Sequence, residues 1–223
     1  MLWPLACAAS AQDLPGLGTH ASRLEIDVDQ PPWRIIGRVQ TGVGERCTGF
    51  AVAPNVIETA GHCLWIARTG HFVPAWDVHA LFGYRMGAFR IHARATQIVV
   101  ASGYDPHREA ATAWTDRALI VLDQPVVKAA DLLPMVPARG GMAAMLGGYQ
   151  QDRSEIAIGD ARCRIVAIDR IGTHTMLRHD CAGTHGVSGA PLLVRDDGGH
   201  WGIAGVAVLA FAGAGGLAAS LPH

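Results

Sequence analysis

The chain has 223 residues, of which 50% are hydrophobic and 17% are charged, and its formal net charge is −1 at pH 7. This length is sufficient for one large all-β unit or for two small barrels with hydrophobic cores. The near-neutral charge argues against a protein dedicated to nucleic acids or other polyanions.

The N-terminal segment is predicted to direct export. Residues 1–11 are apolar and end in Ala9, Ser10 and Ala11, small residues that fit a signal-peptidase site, although the segment is short and lacks a basic start. We interpret this segment as a signal peptide or its remnant, and an ordinary apolar N-terminus is the alternative. Residues 12–34 are polar and contain Pro-Gly and Pro-Pro pairs, which predict a linker or propeptide.

Short strand-like runs separated by turn residues make up most of the remaining chain, and almost no segment has a sustained helical period. In the N-terminal half, the strand-like runs are residues 47–52, 56–59, 78–82, 89–95, 97–101 and 119–122. Residues 123–137 contain several prolines and are predicted to connect two barrels. In the C-terminal half, the runs are residues 142–147, 161–168, 173–178, 191–195 and 201–209. This pattern favours an all-β fold.

One segment has a competing interpretation as a membrane helix. Residues 201–221 carry no charge and are long enough to cross a bilayer. Five glycines within the segment weaken a helix, and no cluster of basic residues flanks it. We therefore predict strands of a soluble barrel here, with the membrane helix as the alternative.

The cysteines support an oxidising compartment. Of five cysteines, Cys7 would leave with a signal peptide, and the remaining four allow three pairings. Neighbouring cysteines flank hairpin-like segments, so the predicted disulfides are Cys47–Cys63 and Cys163–Cys181. A structural metal site is disfavoured because the chain contains no Cys-x-x-Cys pair.

Three short motifs contain a histidine, an aspartate and a serine, in that order. They are Thr59-Ala60-Gly61-His62-Cys63, Asp116-Arg117-Ala118-Leu119-Ile120 and Gly186-Val187-Ser188-Gly189-Ala190-Pro191. A serine hydroxyl becomes a nucleophile when an imidazole takes its proton, and a carboxylate holds that imidazole in place. We interpret His62 as the general base, Asp116 as the orienting acid and Ser188 as the nucleophile.

Each of these residues also has a simpler interpretation. Asp116 competes with Asp77 and Asp105, and it is preferred because residues 119–122 directly after it supply an apolar strand that could bury its carboxylate. A lone histidine is most often a surface or core residue, and a Gly-rich turn can contain an incidental serine. The three motifs together favour catalysis over these alternatives.

The order His, Asp, Ser differs from that of α/β-hydrolases and of subtilisins. From about Arg34 to the C-terminus, the motifs resemble the chymotrypsin-fold (trypsin-like) serine peptidases. The spacing of His179-Asp180-Cys181 from Ser188 is similar to that of the bacterial glutamyl-endopeptidase-like branch. The resemblance implies two six-stranded antiparallel Greek-key β-barrels with the active site in the cleft between them. The peptidase domain would span residues 35–223, with barrels near 35–128 and 129–221.

The resemblance also implies roles for residues near the nucleophile. The backbone amides of Gly186 and Ser188 would form the oxyanion hole. The sequence Arg34-Ile35-Ile36-Gly37 is similar to the family's activation site, where cleavage frees a new Ile N-terminus. Val187 stands where the common family motif has the aspartate that pairs with this N-terminus. We therefore expect an oxyanion turn that forms before any processing at Arg34.

The substrate pocket is predicted by alignment with the same family. The resemblance places four uncharged residues there, namely Ala182, Val208, Ala210 and Gly216. Glutamate-specific relatives carry a histidine at about the position of Ala207. A pocket without charge predicts a graded preference for small or medium uncharged side chains.

Together these observations predict a secreted or periplasmic serine endopeptidase that cleaves peptide bonds through an acyl-enzyme. We expect a monomer that acts on proteins or peptides, with no metal, no organic cofactor, no nucleic-acid partner and no stable membrane insertion. The alternative is a catalytically silent homologue that serves as a binding domain.

Overall fold

The structure, a computed structural model, describes residues 14–18 and 22–221, so the predicted signal peptide lies outside the described residues. The strands of the first half are Leu24–Glu25 (β1), Ile36–Thr41 (β2), Arg46–Ala53 (β3), Val56–Thr59 (β4), Trp65–Ile66 (β5), His71–Phe72 (β6), Val78–Phe82 (β7), Ile91–Val100 (β8) and Ala118–Leu122 (β9). Those of the second half are Ala143–Tyr149 (β10), Ala157–Ile171 (β11), His174–His179 (β12), Pro191–Arg195 (β13), Trp201–Ala210 (β14) and Gly216–Ser220 (β15).

Helices are short throughout the described ranges. The α-helical segment is Glu109–Thr112 (α1). The 3-10 helices are Trp33–Ile35, His62–Leu64, Ala75–Asp77, Pro106–Arg108, Ala113–Thr115, Ala129–Asp131 and Gln151–Arg153. The predicted all-β fold class is therefore confirmed.

The first barrel closes in the order β2-β3-β4-β9-β8-β7, with every neighbouring pair antiparallel. After β4 the chain crosses the barrel, so that β7 returns beside β2 in a Greek-key arrangement. Large apolar side chains that point inwards from the strands fill its core, including Phe50, Ile57, Phe82 and Ile120, all fully buried.

The second barrel contains β10-β13-β14-β15-β12-β11 and closes because β11 pairs with both β10 and β12. Residues 157–164 of this fifteen-residue strand pair with β10, and residues 165–171 pair with β12. Strand β13 returns beside β10, which repeats the Greek-key arrangement of the first barrel. Strand β1 extends the sheet by pairing with β11, so part of the predicted linker packs against this barrel.

The structure merges two of the predicted strands and decides between the two interpretations of residues 201–221. The runs 89–95 and 97–101 form the single strand β8, whose register shifts between Ala95 and Gln97. Residues 201–221 form β14 and β15 of the second barrel, so the membrane-helix alternative is wrong. In the described ranges, no helix combines the length and apolar composition needed to span a membrane.

Both predicted disulfides are present. Cys47 in β3 is bonded to Cys63, and Cys163 in β11 is bonded to Cys181, with Cα–Cα distances of 6.1 and 4.7 Å. The sequence separations are 16 and 18 residues. Loops of this size correspond to about 3 kcal/mol of stabilisation each in the chain-entropy description.

Thr48 joins the two barrels. This buried residue of β3 donates its amide N–H to the carbonyl of Ser188 at 2.9 Å. Its hydroxyl donates to the carbonyl of Gly186 at 2.9 Å and accepts the amide N–H of Tyr149 at 2.9 Å. A strand of the first barrel therefore holds the turn before β13 of the second.

We expect Thr48→Val to destabilise the fold, because it keeps the side-chain shape but removes both hydroxyl hydrogen bonds. Each buried polar group left unpaired costs about 1–3 kcal/mol. Urea unfolding followed by tryptophan fluorescence measures this loss. The control is Thr69→Val at an exposed turn, where stability should change little. Equal stability of the two variants would contradict the role assigned to Thr48.

Candidate active site

His62 follows the β3–β4 hairpin after two residues, Ala60 and Gly61. It begins the 3-10 helix His62–Leu64, which the Leu64 amide closes by donating to the carbonyl of Gly61 at 3.0 Å. A Cβ at Gly61 would lie 3.0 Å from the ring of Tyr104 and 3.2 Å from Oδ1 of Asp116. The small residue before His62 therefore allows the turn to approach Asp116 closely.

Asp116 holds His62 through two hydrogen bonds. Its Oδ2 lies 2.6 Å from Nδ1 of the imidazole, and its Oδ1 accepts the backbone N–H of His62 at 2.8 Å. The side chain of Asp116 is only 1% exposed. We assign the imidazole proton to Nδ1 on this contact, which leaves the lone pair of Nε2 available as an acceptor.

The carboxylate of Asp116 also controls the charge of the imidazole. Burial lowers the pKa of His62, but the hydrogen bond and the negative charge of Asp116 outweigh burial and raise this pKa above its ordinary value. Glu109 acts in the same direction, because its Oε1 lies 3.8 Å from Nδ1. Burial and the charge of Asp116 also raise the pKa of Tyr104, so its phenol stays protonated.

The two competing aspartates have other contacts. Oδ1 of Asp105 accepts the backbone N–H of His107 at 2.9 Å and caps the 3-10 helix Pro106–Arg108. Asp77 ends the 3-10 helix Ala75–Asp77 and lies against Gly42. Of these aspartates, Asp116 is the one that contacts the imidazole of His62.

Ser188 lies in a tight turn that two glycines allow. Gly186 and Gly189 have φ values of +90° and +81°, in the left-handed region that favours glycine. The turn is closed by the amide of Ala190, which donates to the carbonyl of Val187 at 2.9 Å. A Cβ at Gly189 would overlap the carbonyl oxygen of Thr48, so only glycine fits this position without a shift.

Two backbone amides of this turn are available to a ligand. In the part of the chain that the structure describes, the N–H groups of Gly186 and Ser188 donate to no protein acceptor. Fixed amides of this kind can stabilise an oxyanion that develops beside the serine.

His62 and Ser188 line the same cavity, whose volume is about 210 Å³. The carbonyl oxygen of Ser188 lies 3.9 Å from Sγ of Cys63, the residue after His62. Within the described ranges, no hydrogen bond joins the imidazole to the serine hydroxyl. Catalytic hydrogen bonds are often long until substrate binds, so this geometry is compatible with proton transfer.

The predicted pocket residues divide into two groups. Val208 and Ala210 line the cavity. Ala182 and Gly216 do not line it, and their neighbours Gly183 and Gly215 do. The amide of Ala182 donates to the buried carboxylate of Asp160, and Gly216 of β15 pairs with His179 of β12 and Ala210 of β14.

Sequence reasoning missed four polar residues of the cavity wall, namely Glu109, His179, Thr184 and His185. His179 ends β12, where it follows the buried Leu177 at the two-residue period of a strand. This alternation places His179 on the inner face of the barrel and is the signal that could have found it.

Residues 14–18 support the wall of the cavity. The carbonyl of Gly16 accepts the amides of Gly215 and Gly183 at 3.2 and 3.4 Å, and its own amide donates to Phe211 at 2.7 Å. A Cβ on Gly16 would overlap the carbonyl oxygen of Gly183. Part of the segment predicted to be a linker or propeptide thus packs against the second barrel.

Three clusters in the described ranges bring together residue types that can ligate metals. Two of them contain cysteines that are bonded in disulfides and so offer no thiolate. The third consists of His62, Glu109 and Asp116, where Nδ1 of the imidazole already contacts Asp116.

We expect Gly189→Ala to destabilise the protein strongly. A left-handed alanine costs about 1–2 kcal/mol, and the overlap with Thr48 adds roughly 1–3 kcal/mol. The matched control is Gly199→Ala, where φ is +80° and no atom lies within 4 Å of the added Cβ. Urea unfolding of both variants separates backbone strain from overlap, and equal losses would contradict the close approach.

Comparison with known proteins agrees with this architecture. The chain is similar in structure to a Glu endopeptidase solved in complex with MPD, with a TM-score of 0.74 and 20% sequence identity. The match covers 92% of this chain and 94% of that chain, and at this identity it establishes a shared fold.

A comparison with curated proteins gives no match. The family model described as Trypsin matches residues 25–216. Because this match spans most of the 223 residues, the chain belongs to the trypsin family of serine peptidases.

Proposed function

We propose that the protein is a serine endopeptidase in which Ser188, His62 and Asp116 form a catalytic triad. The observation that carries the proposal is the pair of hydrogen bonds from His62 to the buried Asp116, beside a cavity that Ser188 also lines. The carboxylate fixes the imidazole so that Nε2 is the free acceptor. Membership of the trypsin family supports the same chemistry.

The reaction follows from this arrangement. Nε2 of His62 accepts the hydroxyl proton of Ser188 as Oγ bonds to the carbonyl carbon of the substrate. The carbonyl electron pair moves onto oxygen, and this oxyanion accepts hydrogen bonds from the backbone N–H groups of Gly186 and Ser188. When the oxyanion collapses, the C–N bond breaks and the leaving amine takes the proton from His62. Water then hydrolyses the acyl-enzyme by the same steps.

The oxyanion amides contribute part of the rate. Loss of one such donor typically raises the barrier by on the order of 3 kcal/mol. The turn that carries them is held by Thr48 and by the left-handed Gly186, so the donors need no reorganisation when negative charge develops.

We also propose that the protein works outside the cytoplasm, in a secreted or periplasmic form. Two disulfides support an oxidising compartment. Its substrates would be proteins or peptides, bound by a monomer. The peptidase domain would comprise residues 35–223, with residues 22–34 packed against it.

Activity should not require cleavage after Arg34. Ile35 is fully buried and leads directly into β2, and Val187 offers no carboxylate to a new amino terminus. If cleavage freed the amino group of Ile35, burying this ammonium without a partner would cost on the order of several kcal/mol of folding free energy. The uncleaved chain already has the turn at Gly186 and Ser188.

A fluorophosphonate probe tests the proposed triad. We expect it to label Ser188, and Ser188→Ala should abolish labelling. The labelling rate should fall as pH decreases, beginning above the ordinary histidine pKa of about 6.5, because the pKa of His62 is raised and its protonated form cannot accept a proton.

Asp116→Asn should slow labelling by on the order of 10⁴-fold, the typical effect of losing the orienting carboxylate. Asp105→Asn is the matched control, since asparagine still caps the 3-10 helix there, and labelling should be unaffected. Folded protein that never labels would instead support the silent binding domain.

Arg34→Gln tests activation. We expect this variant to be as active as the wild type, because the oxyanion turn does not depend on a new amino terminus. Peptide hydrolysis is measured on protein whose N-terminus has been sequenced. A folded but inert uncleaved variant, restored by an engineered cut at the same bond, would contradict the proposal.

A further inference from the structure

The cavity beside Ser188 contains buried polar atoms without a partner. Both ring nitrogens of His179 are buried and make no hydrogen bond with the described part of the chain, and the same holds for Oγ1 of Thr184. His179 is 4% exposed and Thr184 is fully buried. Such atoms cost free energy unless a ligand or water satisfies them.

His179 and Thr184 both line the cavity beside Ser188. His179 pairs with Gly216 across β12 and β15, and Gly216 pairs with Ala210 of β14. The strand that carries His179 is thus two strands away from the one that carries Ala210. Thr184 lines the same cavity and precedes Ser188 by four residues.

The side chains around the cavity set the chemistry of what can bind. No lysine or arginine lines it, and its one carboxylate is that of Glu109, which is half exposed. Burial lowers the pKa of His179 to about 4, although Asp180 and Asp160 act in the opposite direction. The imidazole is therefore neutral at neutral pH, with one donor and one acceptor.

We propose that His179 and Thr184 are specificity-determining residues that recognise a carboxamide side chain, Gln or Asn, at the residue whose carbonyl Ser188 attacks. This inference rests on the proposed peptidase function of the same site. A carboxamide has one acceptor oxygen and an NH₂ donor, so it can satisfy a neutral imidazole and a hydroxyl together.

Other side chains fit the cavity less well. A carboxylate would bury a charge that no lysine or arginine of the cavity wall neutralises. An apolar side chain would displace water and leave His179 and Thr184 unpaired. The glycines at 183 and 215 and the small Ala210 leave room for a side chain of moderate length.

The test uses peptides that differ only in the residue before the cleaved bond, which is Gln, Asn, Met or Glu. Met and Glu match Gln closely in size but replace its carboxamide with an apolar or a charged group. For the wild type we expect kcat/KM for Gln to exceed that for Met and for Glu by at least about tenfold, since sites built for hydrogen bonds reject analogues that lack them.

His179→Leu and Thr184→Val should each reduce the Gln-to-Met ratio of kcat/KM towards one while cleavage after Met persists. His174→Leu is the matched control, because it makes the same substitution at an exposed position of the same strand. This control should keep the wild-type ratio. If His179→Leu fails to fold, the peptide series with the wild type and with Thr184→Val still tests the proposal.

The failure of this inference can be distinguished from that of the proposed function. Ser188 that labels with fluorophosphonate, together with preferred cleavage after Met or Glu, overturns the carboxamide site and leaves the peptidase intact. A Gln-to-Met ratio that stays unchanged in both His179→Leu and Thr184→Val would also overturn the carboxamide site and leave the peptidase intact. Folded protein that neither labels nor cleaves any peptide removes both proposals.

Discussion

The contact of Thr48 with the turn around Ser188 is the constraint on which the site depends. His62 and Asp116 belong to the first barrel, whereas Ser188 belongs to the second. Thr48 fixes the two barrels at this point through its amide and its hydroxyl, and its own carbonyl accepts the hydroxyl of Thr59 at 2.8 Å. Because Gly189 has no side chain, the turn can approach this carbonyl closely. This contact therefore fixes the position of the Ser188 turn relative to the barrel that carries His62.

Two histidines of the cavity, the partly exposed His62 and the buried His179, show how hydrogen-bonding partners decide the charge of an imidazole. Burial lowers the pKa of both, but Asp116 outweighs burial at His62 and raises its pKa, while His179 has no hydrogen-bonding partner in the described residues and its pKa falls to about 4. The first can therefore hold a proton during a reaction, and the second remains a neutral donor and acceptor. Under the proposed function, one cavity would combine proton transfer with recognition of an uncharged polar group.

The features that could be predicted from the sequence are those that depend on local patterns of residues. Short strand-like runs, frequent turn residues and the lack of a helical period were sufficient for the all-β fold class, and cysteines that flank hairpins indicated both disulfides. The cavity wall was harder to predict, because it depends on how distant strands meet when the second barrel closes. Gly16, His179 and Gly215 come together across about 200 residues of sequence, and no motif marks them. The triad stays a prediction, supported by motifs and by the contact between His62 and Asp116.

The most direct measurement is an experimental structure of the protein after reaction with a fluorophosphonate. We expect phosphorus bonded to Oγ of Ser188 and a phosphoryl oxygen about 2.7–3.1 Å from the amide nitrogens of Gly186 and Ser188. His62 should keep its contact with Asp116. A phosphoryl oxygen directed to solvent, or phosphorus bonded to another residue, would contradict the assignment of the catalytic groups.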